Sequence, residues 1–501
     1  MSILSRGSMT DEHVLNRFYA KQLLGLEEQQ TFIASLLQSA REGHLCLKSA
    51  TPLTFPPSVV EEGTTLFPKA PIVRDRDRYY IQKNWVYETY ILEQIRRLRA
   101  QTIPEEAHFV EALSPEQKEV VKHLFSHPFS IVCGGPGTGK TYTAAMFARI
   151  LARKKKLRII LSAPTGKAAL HLQSSLGSDI ECEAMTLHRL LKLRPGGAQL
   201  FSKKRVDADL VIVDEASMMD VSLLAHLLEA IGDGTRLILM GDPHQLPPVE
   251  VGSLFAACAD LYGVFLKRCM RTEDLVLQRS AEAILQENAE LFFSTVPVSE
   301  TFDEALIDRL YDKVKPIFSR EKIDPAAFLQ NGFSVRVLDA LRQGPFGLEA
   351  LNRRILERMD QNCPEGWWWA VPILATANMA HLNLYNGSCG VLIGQKRRGI
   401  KLSEGVAYFL ETGEEPFVNP PPYELSFVLS IHKSQGSEFD EVIALFPDGS
   451  ESFGKEALYT AATRAKKKWE VVGKKEVIGK MLSQKNSCIS GFRERTLAEK
   501  G

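Results

Sequence analysis

The chain is 501 residues long, 45% hydrophobic and 24% charged, with 61 Lys+Arg against 61 Asp+Glu. That composition excludes a disordered or fibrous chain and leaves room for several globular domains. A formal net charge of zero also excludes polyanion binding by overall charge, so any such site must come from local clustering.

The eight cysteines, at 46, 133, 182, 258, 269, 363, 389 and 488, are scattered and form no C-x-x-C pair. This argues against a zinc site or a disulfide framework and for a reducing compartment. No apolar run approaches transmembrane length, and the N-terminus lacks a charged-then-apolar signal pattern. A cytoplasmic protein with no membrane partner is expected.

Residues 1–105 carry no nameable chemistry. Val14 through Leu37 reads as mostly helical, Pro52, Pro56, Pro57 and Pro68 break the middle, and Tyr79 through Ala100 reads as a second helix. Either a small helical domain with its own core or a partner-docking module fits. Ser114-Pro115-Glu116-Gln117 then signals a helix start, with Ser as cap and Pro in the first turn. Gln117 offers both a donor and an acceptor, which suits the edge of adenine, although a helix-surface Gln is usually just solvated.

The central stretch is Gly134-Gly135-Pro136-Gly137-Thr138-Gly139-Lys140-Thr141, which fits the phosphate-binding pattern G-x-x-x-x-G-K-[ST]. The apolar run Phe129 through Cys133 before it reads as a buried strand, and Ala144 through Ala148 after it reads as helix. Glycines let backbone N–H groups turn inward around phosphate oxygens, and the helix N-terminus adds positive potential. Lys140 would reach the β- and γ-phosphates of ATP, and Thr141 would hold Mg²⁺.

A second strand, Arg158 through Ala163, leads into Pro164-Thr165-Gly166-Lys167, and this repeat of strand, loop and helix implies a parallel sheet. Thr165 and Lys167 have the chemistry to grip a phosphate backbone, and Thr186-Leu187-His188-Arg189 forms another polar cluster. Between 140 and 205 there are fourteen Lys/Arg and three Asp/Glu. Charge runs are usually solvated faces, but such an imbalance beside an ATP site points to nucleic acid. Residues 194–206 read as a basic, turn-rich insert forming a hairpin.

Leu210-Val211-Ile212-Val213-Asp214-Glu215 is an apolar strand ending in two carboxylates, 75 residues beyond Gly139. In that position Asp214 would hold Mg²⁺ and Glu215 would orient or deprotonate the attacking water. Arg236 through Met240 is the next strand, with Gly241-Asp242-Pro243-His244-Gln245 at its C-terminal end, where ligands of parallel sheets bind. Gln245 is placed to contact the γ-phosphate.

Residues 281–330 turn acidic, with ten Asp/Glu against five Lys/Arg, and read as helical. Leu338 through Asn352 reads as helix–turn–helix. Trp367-Trp368-Trp369 invites base stacking, but core packing or an interface anchor suits at least two of the three. Asn386-Gly387 is a turn, and Val391 through Leu429 alternates short strands with Gly and Pro, the size of a small inserted β-barrel. After Leu425 through Leu429, strands again alternate with helices, and this half has no phosphate loop of its own. A second α/β domain that completes the first one's ATP site accounts for that. Arg464 would then act as an arginine finger.

The ordered series GGPGTGKT, APTGKAA, TLHRLL, VIVDEASMMD, GDPHQLPPV, NG-x-x-G, IHKSQGSEF and YTAATRA resembles superfamily 1 DNA helicases, and within them the RecD family, over about residues 110–475. The resemblance implies an α/β chain. It has two RecA-like domains at 106–270 and 271–501, a hairpin at 194–206 and an SH3-like barrel at about 390–425, preceded by the helical, partner-docking domain expected at 1–105. It implies that Gln117 contacts adenine, Glu438 the ribose, and Arg271 and Arg464 the γ-phosphate. Thr165, Thr186, His188, His432 and Lys433 match motifs that line the single strand. The implied activity is ATP-dependent 5′→3′ DNA translocation within a RecB- and RecC-containing heterotrimer acting at duplex ends. A stand-alone RecD-like helicase, a protein- or RNA-remodelling ATPase and a silent scaffold are the alternatives. Ser388 stands where the family usually has Asp, and Ala377-Asn378-Met379 where it has R-N-D. No nuclease signature is present, so any exonuclease activity is expected in a partner subunit.

Overall fold

The computed structural model describes residues 27–49, 54–102, 113–153, 156–177, 180–193, 205–248, 252–268, 275–314, 317–379, 382, 384–412, 415–484 and 488–498. The N-terminal part comprises α1 (Glu27–Arg41), β1 (Cys46–Lys48), β2 (Val60–Glu62), β3 (Ile72–Asp75), β4 (Arg78–Ile81) and α2 (Gln82–Arg99). Its four strands form one sheet in the order β1-β4-β3-β2. A purely helical domain is therefore not what the chain builds. Tyr79 and Tyr80, where the sequence pattern predicts the start of a helix, lie in β4 opposite Arg74 and Val73. Aromatic residues suit a pleated, half-buried surface. The helix begins only at Gln82.

The first parallel sheet follows. Its elements are α3 (Pro115–Ser126), β5 (Phe129–Gly134), α4 (Lys140–Ala152), β6 (Ile159–Ala163), α5 (Gly166–Leu176), β7 (Cys182–Thr186), α6 (Leu187–Leu190), β8 (Leu210–Val213), α7 (Val221–Ala230), β9 (Arg236–Gly241), α8 (Phe255–Tyr262) and β10 (Gly263–Leu266). The order is β10-β5-β9-β8-β6-β7, and every pairing is parallel. β5, β6, β8 and β9 are buried along their whole length, which is why they read as continuous apolar runs. One core joins this sheet to the N-terminal part: Leu45, Tyr87 and Ile91 pack with Phe129, Leu224 and Phe255. Ser222 Oγ donates to Tyr87 Oη at 3.0 Å across that joint.

The second half contains α9 (Leu275–Leu285), α10 (Ala289–Thr295), β11 (Val298–Ser299), α11 (Glu304–Val314), β12 (Ile317–Ser319), α12 (Pro325–Asn331), β13 (Val335–Asp339), α13 (Leu348–Asn362), β14 (Trp368–Ala375), β15 (Cys389–Gln395), β16 (Val406–Phe409), β17 (Tyr423–Leu425), β18 (Val428–Ser430), β19 (Phe439–Phe446), α14 (Gly454–Ala462), β20 (Ala465–Gly473), α15 (Lys475–Ser483) and α16 (Phe492–Ala498). Its parallel sheet runs β11-β20-β19-β13-β18. Leu338 lies in β13, so the expected helix–turn–helix is a strand followed by α13. A short apolar run does not separate a buried strand from a buried helix.

The insert is an antiparallel sheet, β12-β14-β15-β16, with β17 also on β14. Among the described residues it does not close, so the barrel expected at 390–425 is an open sheet that also recruits β12 and β14. Trp369 is fully buried in it, while the flanking Trp367 and Trp368 lie under Arg320 and Lys322 at 5.4 and 6.0 Å. The expected hairpin falls mostly on 194–204, outside the described residues.

The C-terminal segment crosses back to the N-terminal part. Ile489 O accepts from Leu45 N at 2.9 Å, and Phe492 enters the shared core. Glu88 is fully buried and accepts from Tyr80 Oη, Gly491 N and Arg495 Nη1 at 3.1, 3.2 and 3.2 Å. Burial pushes its carboxyl up, and Arg495 pulls it back down. Arg495 also covers the Trp85 ring at 3.9 Å. Removing one partner of a buried ion pair costs about 3–5 kcal/mol. Arg495→Ala is therefore expected to lower the urea midpoint followed by tryptophan fluorescence, and an unchanged midpoint would refute this account of the joint.

Candidate active site and nucleic-acid cleft

In the first sheet β9 lies between β5 and β8. This order decides what meets at the sheet's C-terminal edge: the phosphate loop leaves β5, the carboxylates leave β8, and the Asp242–Gln245 loop leaves β9 between them. Gly137 and Gly139 have φ of +75° and +86°, the left-handed turns that bring the loop round to α4. Lys140 Nζ donates to the Gly134 and Gly135 carbonyls at 2.6 and 3.1 Å. Thr138 Oγ1 donates to Gly135 O at 2.8 Å and braces the loop, and a Cβ on Gly134 would lie 2.6 Å from that same hydroxyl oxygen.

Thr141 Oγ1 and Asp214 Oδ2 are 3.3 Å apart. A hydroxyl and a carboxylate so close fit Mg²⁺, a hard cation that takes few protein oxygens and completes its shell with phosphates and water. Among the described residues no group of three or more His, Cys, Asp and Glu forms an all-protein metal cage. Glu215 follows in the left-handed conformation, φ 50° and ψ 38°. Its Oε1 lies 3.8 Å from where a Cβ on Gly436 would be. Burial and the Asp214 carboxylate push Glu215 up, while Arg464 and Lys140 draw it down.

Gln245 is buried and donates to Asp242 Oδ2 at 3.4 Å, while its Oε1 has no hydrogen-bond partner among the described residues. Pro136 sits in the phosphate loop between the glycines. Gln117 caps α3 reciprocally with Ser114, its Oε1 accepting from Ser114 N at 3.1 Å. Its Nε2 lies 2.9 Å from where a Cβ on Gly139 would be, so the amide borders the loop.

The second half supplies Arg464, buried at the end of α14. It donates to Thr460 O, Ser437 O and Thr463 Oγ1 at 3.2, 3.1 and 3.2 Å. Leu246 N donates to Thr460 Oγ1 at 2.8 Å, and Gln435 Nε2 to Leu246 O at 2.9 Å. The loop after β9 is thus tied to the helix carrying Arg464. Glu438 follows Ser437 directly and is partly buried. Arg271 lies outside the described residues.

A cavity of about 320 Å³ opens between the halves. Thr165, Lys167 and His188 line it from the first half, and His432 and Lys433 from the second. Lys167 Nζ donates to Ser437 Oγ across it at 2.8 Å, while Lys433 is held by Glu424 at 2.6 Å. Thr165 caps α5 by accepting from Ala168 N at 3.3 Å. Thr186 is not on the wall; it caps α6, accepting from Arg189 N at 3.3 Å, and so aims His188.

An AAA domain family matches residues 112–296, and a UvrD-like helicase C-terminal domain family matches 425–472. The RecBCD enzyme subunit RecD of Mycolicibacterium smegmatis is 32% identical over 84% of this chain and 82% of its own length. The chain belongs to the RecD family. The RecD subunit of Haemophilus influenzae is 28% identical over 81% of this chain and 78% of its own, and the ATP-dependent RecD2 DNA helicase of Deinococcus radiodurans is 31% identical over 74% and 50%. Among solved structures, a Pif1 helicase from Bacteroides with ADP-AlF3 and ssDNA is 16% identical over 78% of this chain and 97% of that one, with a TM-score of 0.44.

Several residues of this RecD-type site were not singled out from the sequence. Asp242 is buried and holds both His244 N, at 3.0 Å, and Gln245. A carboxylate directly after a parallel strand was the available signal. Tyr459 opens the YTAATRA motif, and its Oη lies 3.0 Å from where a Cβ on Gly135 would be. Met218 and Asp220 also line the cavity and carried no signal.

Proposed function

We propose that this RecD-family chain is an ATP-dependent DNA helicase, the RecD-type subunit of a RecBCD-type exodeoxyribonuclease V acting on DNA ends in repair and recombination. The observation that carries it is the interdomain cavity. Five residues with phosphate- and base-contacting chemistry converge there from both halves, beside a nucleotide site where Arg464 of the second half acts on Glu215 of the first. The two halves act as RecA-like domains, 106–270 and 271–501. ATP binds on the loop 134–141 with Gln117 at adenine and Glu438 at ribose. Thr141 and Asp214 would hold Mg²⁺, which when bound neutralises phosphate charge. Glu215 and Gln245 orient the attacking water, Gln245 through its free Oε1. Arg464, with Arg271, meets the γ-phosphate when the cleft closes. Thr165, Lys167, His188, His432 and Lys433 grip the strand, and Thr186 aims His188. Movement is 5′→3′, and RecB- and RecC-like subunits complete a heterotrimer. The match along 84% of this chain, against 74% for RecD2, supports the complexed subunit over a stand-alone helicase. Among the described residues no helix is long and apolar enough to cross a membrane, in keeping with a cytoplasmic reading.

The test is ATP hydrolysis by the full chain with and without single-stranded DNA. Stimulation by DNA supports the motor; hydrolysis indifferent to DNA would favour a remodelling ATPase. Salt gives a second check, since each phosphate neutralised on a single strand contributes about −0.7 to the slope of log K against log salt. Lys167 donates to the neutral Ser437 hydroxyl and its charge also acts on the Glu411 carboxylate, with no ion pair among the described residues, whereas Lys433 is in direct contact with Glu424 at 2.6 Å. Lys167→Ala is therefore expected to flatten the slope by about 0.7, and Lys433→Ala by less. An equal change for both would contradict the geometry.

A further inference from the structure

One contact between the halves lies beside the cavity yet belongs to neither set of residues above. The Tyr385 ring rests on the first residue of α5: a Cβ on Gly166 would lie 2.3, 2.4 and 2.9 Å from Tyr385 Cγ, Cδ1 and Cβ. No side chain fits there without moving the tyrosine. On either side of this contact, Thr165 and Lys167 of the first half and Asn386 and Gly387 of the second line the cavity wall.

The turn that carries the tyrosine is stiff. Tyr385 N donates to Ser388 Oγ at 3.1 Å, and Ser388 N returns a bond to Tyr385 O at 2.9 Å. Asn386 N donates to Asn378 Oδ1 at 2.8 Å, and Gly387, at φ +94°, donates its N–H to Ala375 O at 2.9 Å. Ser388, which departs from the family's usual Asp, thus closes this turn with its hydroxyl. The ring is held by the end of β14 and pressed on the start of the helix that presents Thr165 and Lys167.

We propose that Tyr385 is a positioning residue for single-stranded DNA: seated on Gly166, its ring sets how closely the 386–387 turn approaches Thr165 and Lys167, and so sets the width of the cleft around the strand. This rests on the motor reading above. The tyrosine does not itself line the cavity, so it acts through the residues that do. The Tyr385 atoms nearest Gly166 are Cβ, Cγ and Cδ1, at the root of the ring, so the hydroxyl is dispensable for this role.

The experiment is DNA-stimulated ATP hydrolysis by the full chain, read as the DNA concentration giving half-maximal stimulation and, separately, as kcat at saturating DNA. Contacting pairs couple strongly enough to move such a constant by about tenfold. Tyr385→Ala and Gly166→Ala are each expected to raise the half-saturating DNA concentration about tenfold with little change in kcat. Tyr385→Phe should behave as wild type. In Gly166→Ala/Tyr385→Ala the added methyl has no ring to meet, so the double variant should be no worse than Tyr385→Ala alone. The proposal is overturned by an unchanged half-saturating concentration in Tyr385→Ala. It is also overturned if Gly166→Ala costs as much in the Tyr385→Ala background as in wild type, which would place its effect within α5. Thermal melting of each variant guards against misfolding, and Tyr385→Phe and Tyr385→Ala decide the matter even if Gly166→Ala fails to fold. If DNA does not stimulate the wild-type chain at all, it is the motor reading that fails.

Discussion

Lys140→Gln is expected to lower kcat for ATP hydrolysis at saturating DNA by at least about 10²–10³-fold, the loss typical of removing one preorganised donor to developing charge. The ammonium reaches two carbonyls of the phosphate loop, Gly134 O at 2.6 Å and Gly135 O at 3.1 Å, so it already sits where the loop folds round a phosphate chain. Glutamine is shorter and neutral, and leaves that position without positive charge. Steady-state hydrolysis beside wild type decides it. A variant retaining a third or more of the wild-type rate, in a complex of undiminished activity, would revive the reading of this chain as a scaffold.

Arg464→Ala should be at least as damaging, by about 10³-fold in kcat, because the arginine finger proposed here would stabilise charge that appears only in the transition state. Its three hydrogen bonds run to Thr460, Thr463 and Ser437, all in the second half, while its charge acts on Glu215 in the first. Losing it should therefore spare nucleotide binding and remove the signal that joins the halves. Arg464→Lys should not rescue, since one ammonium cannot reproduce the fork that holds those three acceptors. Binding of a fluorescent ATP analogue, measured beside turnover, separates the two effects. A parallel loss of affinity and rate would mean that Arg464 binds ATP in the ground state instead.

Much of the proposed nucleotide site was legible because its chemistry is local in sequence. Gly134 through Thr141, Asp214-Glu215 and Gln245 each sit at the end of one strand, and strand order alone assembles them. Two of the residues proposed to face the DNA were legible for the same reason: Thr165 and His432 each lie two residues beyond the end of a strand of a parallel sheet. What stayed hidden depended on distant pairing. Tyr79 and Tyr80 look helical until β1 and β3 flank them. β14 draws in β12 from about fifty residues upstream as well as β15 and β17, so the insert's sheet could not be bounded by composition near 390–425. Tyr385 had no signal because its partner, Gly166, lies in the other half.

The return of the C-terminal segment limits how the molecule can move. The second half is joined to the first by the passage after Arg268, and again between Gln484 and Cys488, beyond which Ile489 is bonded to Leu45. Four Cα steps reach at most about 14 Å. Two bodies joined by a single cord can swing about any direction; joined by two, they turn about the line through both attachments. Attachment at both places would favour rotation about one line over free swinging. Each turnover would then repeat one small rotation along one path, and lengthening the chain between Gln484 and Cys488 would loosen the stroke without touching a single residue of either cleft.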